Sequence, residues 1–574
     1  MYIETVPNRN SPPAILLREG WREGQRTRKR TLANLSAWPK PKIETLRRLL
    51  RDETLVSPQD LFRTRQTLPH GHVEAILGMI RRLGLASLIA AKRSRQRDLV
   101  VGMIVQRLIT PASKLATTRE WHSTTLAEEL GVEDATEDDL YQAMDWLLAR
   151  QERIEQKLAA RHLKEGGLVL YDVSSSSYEG RKCPLAQFGH NRDGDQLPII
   201  VYGVMTDGEG RAVAVKVYAG NTGDPTTVSD QVEKLRERFG LKRVVLVGDR
   251  GMLTPPQVEK LKDHPGLGWI TALTSGAIRE LVQKGALQLS LLDEKNLAEI
   301  TSPDYPGERL MVCHNPLLGE ERGRKRQALL QATEKSLTKI AKEVARRTQT
   351  PLTAAEIGLK VGKVLGRYKV GKHFQCRIGE GSFQWSRRED SIAQEAELDG
   401  IYVLRTSEPA ERLSAQDTVR SYKSLAEVER AFRCLKGIDL LVRPIRHRTE
   451  ERVPAHIFLC LLAYYVEWHL RGAWAPLLFE DEERREERKR RDPILPAQPS
   501  ASAQEKKRSH LTADRLPVHS FQSLLADLAS RARVTYEMKA GDSKPTCQQV
   551  PEPTSLQARA YELIRSFPVA GTSI

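Results

Sequence analysis

Residues 168–180 read LVLYDVSSSSYEG, and the reading of this stretch decides the fold. Residues 168–171 form a short apolar run of strand-forming type that ends in Asp172, after a long region of helical periodicity. Residues 197–205 make a second strand. Asp207-Gly208-Glu209-Gly210 then turns the chain into a third, at 212–218, so the region opens as an antiparallel meander. A helix over 226–239, a buried strand over 243–247, a helix over 256–262 and a strand over 269–273 follow. The order β-β-β-α-β-α-β is that of an α/β fold. Asp172 stands just past its first strand and Asp249 just past its fourth.

Downstream, residues 275–398 read as an insertion, with a basic amphipathic helix or helix pair over 322–346 and strand fragments at 368–374 and 383–385. Residues 400–406, GIYVLRT, return as a buried strand. Next comes YKSLAEVERAFRCLK, residues 422–436. On one α-helix of about 3.6 residues per turn, Tyr422, Glu429 and Lys436 form a stripe beside an apolar stripe of Leu425, Val428, Phe432 and Leu435. A carboxylate set between a phenol and an ammonium suits contact with a metal ion and a phosphate. After it, 443–452 is basic, 453–470 is an apolar helix, 480–491 reads as a solvated charged helix, and 493–507 reads as a mobile linker before a last helix at 521–531.

Upstream, residues 58–162 have helical periodicity throughout, and the N-terminus mixes β-like pieces with the basic turn REGQRTRKR. The expected segments are a small basic module (1–55), a helical domain (56–162), the first part of the α/β core (163–274), the insertion (275–398), the second part of the core (399–475) and a charged linker and tail (476–574).

The 574 residues exceed what one hydrophobic core supports. Lys and Arg outnumber Asp and Glu by 90 to 74, for a net charge of +16 and a pI near 9.5. That surplus points to nucleic acid as the partner. The longest apolar run, 457–466, is half a membrane span, and the first residues lack a signal-peptide core. Six scattered cysteines suggest neither a zinc site nor a disulfide scaffold, and a reducing cytoplasm fits best.

Two strand-end aspartates placed side by side by this topology, with a helical glutamate converging on them, repel one another unless a cation joins them. All-oxygen ligation suits Mg²⁺ or Mn²⁺, and two such ions about 4 Å apart clamp the attacking and leaving oxygens of a phosphoryl transfer. Other candidates are weaker. His70 and His72, with Glu74, lack the i, i+4 spacing between the two histidines of a zinc helix. Residues 366–372, GRYKVGK, match most of a P-loop, but His373 follows where Ser or Thr belongs. Asn191, Arg192 and Asp193 read as a connection before a DNA contact, Asn221 and Asp224 as the start of a helix capped by Asp224, His447 and His456 as helix-packing residues, and Trp385 as a core residue.

LVLYDVSSSSYEG, VVLVGDRGM (244–252) and the Tyr422 to Lys436 segment together resemble the catalytic blocks of the DDE transposases of bacterial insertion sequences, in the group with a Y-x2-R-x3-E-x6-K signature. REGQRTRKRTLANLS, GNTGDPTTV, GRYKVGKHF and RPIRHRTEERVPAHIFLCLLAYY extend the resemblance over about residues 10–470. It implies a ribonuclease H-like mixed sheet core interrupted by an insertion and preceded by a helical DNA-binding region. It places the acidic, metal-binding triad on Asp172, Asp249 and Glu429, with two Mg²⁺ or Mn²⁺ ions per site. DNA contacts are expected from Tyr422, Lys436 and Arg250. Leu425 stands where the signature has arginine, so Lys423 or Arg430 is expected to supply that charge. The implied function is binding of an element's terminal inverted repeats, followed by metal-dependent strand cleavage and transfer into target DNA. A homodimer on DNA in the bacterial cytoplasm, at the nucleoid and without a membrane, goes with it. A ribonuclease H-like nuclease and an inactive transposase-derived DNA-binding protein are the alternatives.

Overall fold

The strand that starts at Leu168 does not stop at Asp172. In the structure, a computed structural model that describes residues 1–9, 11–53, 61–192, 194–292, 295–539 and 545–568, β1 runs Leu168–Ser177. Its second half is buried and pairs antiparallel with β2 (Ile199–Asp207) as far as Ser177 opposite Ile199. The serines hide this continuation from a hydropathy pattern. β3 (Ala212–Ala219) completes the expected meander.

β4 (Val244–Val247) lies parallel to β1, and β5 (Leu267–Ala272) parallel to β4. β6 (Leu297–Ile300), β7 (Arg309–His314) and β8 (Ile401–Thr406) add an antiparallel wing, giving an eight-stranded mixed sheet in the order β6-β7-β8-β5-β4-β1-β2-β3. β6 and β7 fall within the residues expected as insertion. They belong to the sheet because β7 pairs along its whole length with β8, and Glu308 meets Arg405 in a buried ion pair (Arg405 Nε donating at 2.6 Å). That pairing spans nearly a hundred residues, beyond the reach of local periodicity. What stands apart is a lobe of the helices Pro316–Arg346, Ala354–Tyr368 and Glu389–Ala396 and the hairpin Phe374–Gly379 with Ser382–Arg387. Its own core includes Leu330, Leu337, Ile357, Phe374 and Phe383, with Trp385 packed against it.

Ahead of β1, the helices Gly71–Leu83, Arg95–Ile109 and Glu137–Leu148 pack on the long helix Arg452–Trp474, whose opposite side lies on β3. Ser94 caps the second of these by accepting from Arg97 N, and Thr136 with Asp139 closes a capping box on the third. Residues Arg452–Leu477 are long and apolar enough to cross a membrane, but 89% of the apolar window is buried inside the protein, as for a core helix.

The C-terminal residues differ most from the expectation. Lys506, in the supposed linker, is buried on the helix Ala501–Ser509 and donates to Ala475 O (2.9 Å), Leu478 O (3.0 Å) and Glu480 O (2.6 Å). The helix Ser555–Ser566 packs on Gly71–Leu83 and Arg452–Trp474, and Ala560 O accepts from Trp474 Nε1 at 3.1 Å.

The chain divides into two compact units, Pro69–Arg531 with Pro553–Ile574, and Met1–Leu68 with Ala532–Glu552. The smaller holds a meander of Tyr2–Val6, Ala14–Glu23 and Arg26–Asn34, turned at Gly24 (φ +65°), then the helix Lys40–Leu49. Its second sheet joins Phe62–Pro69, expected as helix, to Ala532–Met538 and Thr546–Gln549. Arg63 Nε donates to Glu537 at 2.7 Å across it. A strand whose partner lies at the far end of the chain carries no local sign of that partner.

Candidate active site

The parallel ladder between β1 and β4 ends with Leu170 opposite Val247. Two residues further along each chain come Asp172, still inside β1 and opposite Val204 of β2, and Asp249, at the head of a loop. Register alone therefore sets the two carboxylates side by side. Asp249 Oδ1 accepts from Met252 N at 2.8 Å, and its carbonyl accepts from Leu253 N at 3.0 Å, which fixes the turn before the helix Pro255–Lys262. Asp172 Oδ1 accepts from Val173 N at 2.8 Å.

The third carboxylate comes from the helix Leu425–Lys436. Val428, Ala431, Phe432 and Leu435 bury one face of it against β1 and β2, with the Phe432 ring 5.8 Å from that of Tyr202. Glu429 is exposed on the other margin. Burial pushes the Asp172 carboxyl up to about 7; the charges of Asp249 and Glu429 push the same way, against the Val173 N–H and the Arg192 guanidinium. The three carboxylates thus act on one another, and their oxygens are the donors that could hold a metal here.

Tyr422 also reaches this centre, but not along one continuous helix. The expected stripe is broken at Ser424, which ends the helix Ala415–Lys423 and starts the next, its Oγ bonding back to Arg420 O at 3.1 Å. The Tyr422 phenol is pushed up to about 12 by burial first, then by Asp249 and Glu429, with Arg250 opposing. Arg250 is exposed beside it. Lys436 is the last residue of the glutamate helix, roughly 10 Å along the axis from Glu429, and its carbonyl accepts from Arg443 Nε at 3.3 Å.

Lys423 and Arg430, expected to supply the charge of the missing arginine, both have partners within the protein. Lys423 Nζ donates to Ile494 O at 2.8 Å and Arg430 to Glu480 at 2.8 Å, so both are held by the C-terminal segment. Leu425 is 8% exposed within the main core. The charged run expected in solvent also docks here: Arg484 donates to Glu427 at 2.6 Å, Arg485 meets Glu209 at 3.2 Å, and Arg488 bonds Ser424.

One residue beside the carboxylates reads in the sequence as no more than part of a connection. Arg192, from the loop between β1 and β2, bonds Val173 O and Asp224, and its charge acts on Asp172. Asp224 pairs with this arginine and does not cap its helix. The signal in the sequence is only an arginine in NRDGD; its neighbour Asp193 lies outside the described residues.

The remaining candidates have structural roles. His70 Nδ1 lies 2.8 Å from Thr125 Oγ1, and Glu74 pairs with Arg531. The P-loop-like residues are a helix end and a turn, with no strand leading in. His456 Nε2 lies 3.0 Å from Val442 O, its ring 4.9 Å from His447. Cys434, Asp439 and Glu467 come close enough to hold a cation, but Arg471 already fills that place, donating to Glu467 at 2.6 Å and meeting Asp439 at 3.2 Å. Burial also keeps the Cys434 thiol protonated.

Residues 180–466 match the family model described as the transposase DDE domain, and residues 3–60 match that of the IS1634 family transposase N-terminal domain. The first match contains Asp249, Tyr422, Glu429 and Lys436 and begins after Asp172. No curated protein matches the chain.

Proposed function

The chain belongs to the DDE-domain transposases of insertion sequences, and on that premise we propose that it binds the terminal inverted repeats of its element, cuts DNA there and joins the freed ends to target DNA. Asp172, Asp249 and Glu429 form the catalytic centre in this reading. The observation that carries it is the register that sets Asp172 and Asp249 two residues past the last β1–β4 pair, with the Glu429 helix packed on β1 and β2. The order β3-β2-β1-β4-β5, a meander followed by two parallel strands, supports a ribonuclease H-like core.

An all-oxygen site of carboxylates that repel one another, with Arg192 to one side, fits Mg²⁺ or Mn²⁺. Bound there, the ions supply Lewis-acid activation of water and of the phosphodiester. Asp172 and Asp249 hold the centre from two adjacent strands, and Glu429 closes it from the helix. Tyr422, protonated at neutral pH, offers an O–H to a phosphate oxygen; Arg250 and Lys436 offer positive charge to the flanking backbone. Water adds to phosphorus, the bond to the 3′ oxygen breaks, and a 3′-OH is released. That hydroxyl then attacks a target phosphodiester, exchanging one P–O bond for another. Joining two ends calls for two centres, hence a dimer on DNA. Leu425 packs in the core and removes no carboxylate, so it does not argue for an inactive protein.

The test is incubation of the full chain with Mg²⁺, a labelled duplex carrying the repeat that flanks its gene, and a target plasmid. Joined products are expected. Cleavage without joining would overturn the transposase reading in favour of a nuclease.

A further inference from the structure

A cavity of about 610 Å³ opens where residues 441–456 pass the helices Arg95–Ile109, Lys114–Glu120 and Glu137–Leu148. Arg107, Lys114, His447, Arg448, Arg452 and His456 line it. Lys114 is 5% exposed and Arg107 6%. A buried cation costs several kcal/mol unless a counter-charge meets it. Yet among the described residues no hydrogen-bond acceptor or carboxylate meets Lys114 Nζ. Among the described residues Arg107 Nη1 donates to the carbonyls of Leu440 and Leu441, both at a long 3.4 Å. Lys114 is also the first residue of its helix, where the backbone dipole opposes a positive charge.

The groups around it respond to this surplus. Burial, then Arg107, pushes the Lys114 ammonium down to about 7. Burial, then Lys114, Arg107 and Arg452, pushes His447 down to about 3. The acids nearby are turned to other partners: Glu137 to the Tyr141 hydroxyl, and Asp145 to Arg452 at 3.9 Å. Buried cations gathered around a cavity whose lining carboxylate, Glu137, is turned to Tyr141 are arranged for an anion from outside.

We propose that this cavity is a phosphate-binding site with Lys114 and Arg107 at its floor. It lies off the end of β1: Tyr178, next after that strand, donates to His447 O at 3.1 Å. Tyr178 is six residues beyond Asp172, roughly 20 Å of extended chain. A DNA strand engaged at the carboxylates can therefore place a backbone phosphate in the cavity several nucleotides away. DNA as the source of the phosphate rests on the transposase reading; the cavity's affinity for phosphate does not.

The test uses Lys114→Met, which keeps the buried stem, and Lys114→Arg, which keeps the charge. In phosphate-free buffer the Met variant is expected to melt above the wild type, because an unpaired buried ammonium is gone. Inorganic phosphate, compared with chloride at equal ionic strength, should raise the Tm of the wild type and the Arg variant but not of the Met variant. For duplex DNA, the slope of log K against log salt should become shallower by about 0.9 in Lys114→Met, as expected when one fewer phosphate is neutralised, and recover in Lys114→Arg. Protection by inorganic phosphate with an unchanged DNA slope would support the site and assign it a free phosphate. A folded Lys114→Met protein that differs from wild type in neither measurement would overturn the proposal. Loss of DNA joining with these phosphate effects intact would instead count against the transposase reading alone.

Discussion

Leu425 shows how one residue changes meaning once its neighbours are known. In the sequence it is a departure from a signature arginine; in the structure it is a core side chain on the inner face of the glutamate helix. Leu425→Arg is therefore expected to lower stability by more than about 2 kcal/mol, since an unpaired guanidinium would be buried. Urea denaturation checks this, and an unchanged midpoint would contradict the packing. Arg192→Ala removes a guanidinium whose charge favours ionised Asp172, and is expected to slow end cleavage at least tenfold while thermal unfolding changes little. The three candidate carboxylates stand out in the sequence because each stands where an apolar run ends or borders a helix face. Arg192 is not, because only the closing of the loop between β1 and β2 brings it to Asp172.

At the scale of elements, the helix Leu425–Lys436 is held on two sides. Its apolar face rests on β1 and β2, and the helix Arg484–Arg490 reaches its start through Glu427 and Ser424. The two contacts differ in strength. Phe432→Ala is expected to cost about 3 kcal/mol, as for large core truncations, whereas Arg484→Ala removes a half-exposed ion pair worth under about 1 kcal/mol. Urea midpoints of the two variants should separate accordingly. The meander and parallel strands are legible because their apolar runs are contiguous and their turns carry Gly and Asp. The break at Ser424 is not, since the apolar spacing runs through it unchanged. β7 and the strand Phe62–Pro69 escape a local reading because β8 and Ala532–Met538, with which they pair, lie far along the chain.

At the scale of the molecule, the helices Phe521–Ala529 and Ser555–Ser566 complete the core instead of trailing from it. The core also stores acid sensitivity. Burial first pushes His72 and His469 down to about 4 and His162 down to about 3. These imidazoles stay neutral in the fold, while the unfolded chain takes up protons below about pH 6.5. Their contribution is present above that pH and is lost as pH falls from about 6.5 toward 4, by at most roughly 1.4 kcal/mol per histidine per pH unit. The urea midpoint should accordingly be lower at pH 5 than at pH 7, and equal midpoints would contradict the neutral assignment. Above all, the account stands on a carboxylate centre that works with a divalent ion. The most direct measurement compares wild type with Asp172→Asn, Asp249→Asn and Glu429→Gln for Mg²⁺-dependent nicking of a duplex carrying the flanking repeat, alongside binding of the same duplex. The wild type should cut, and each variant should bind with near-normal affinity while its rate falls at least about a thousandfold, as expected when a principal transition-state interaction is removed. Normal cutting by the Glu429→Gln protein would contradict the account.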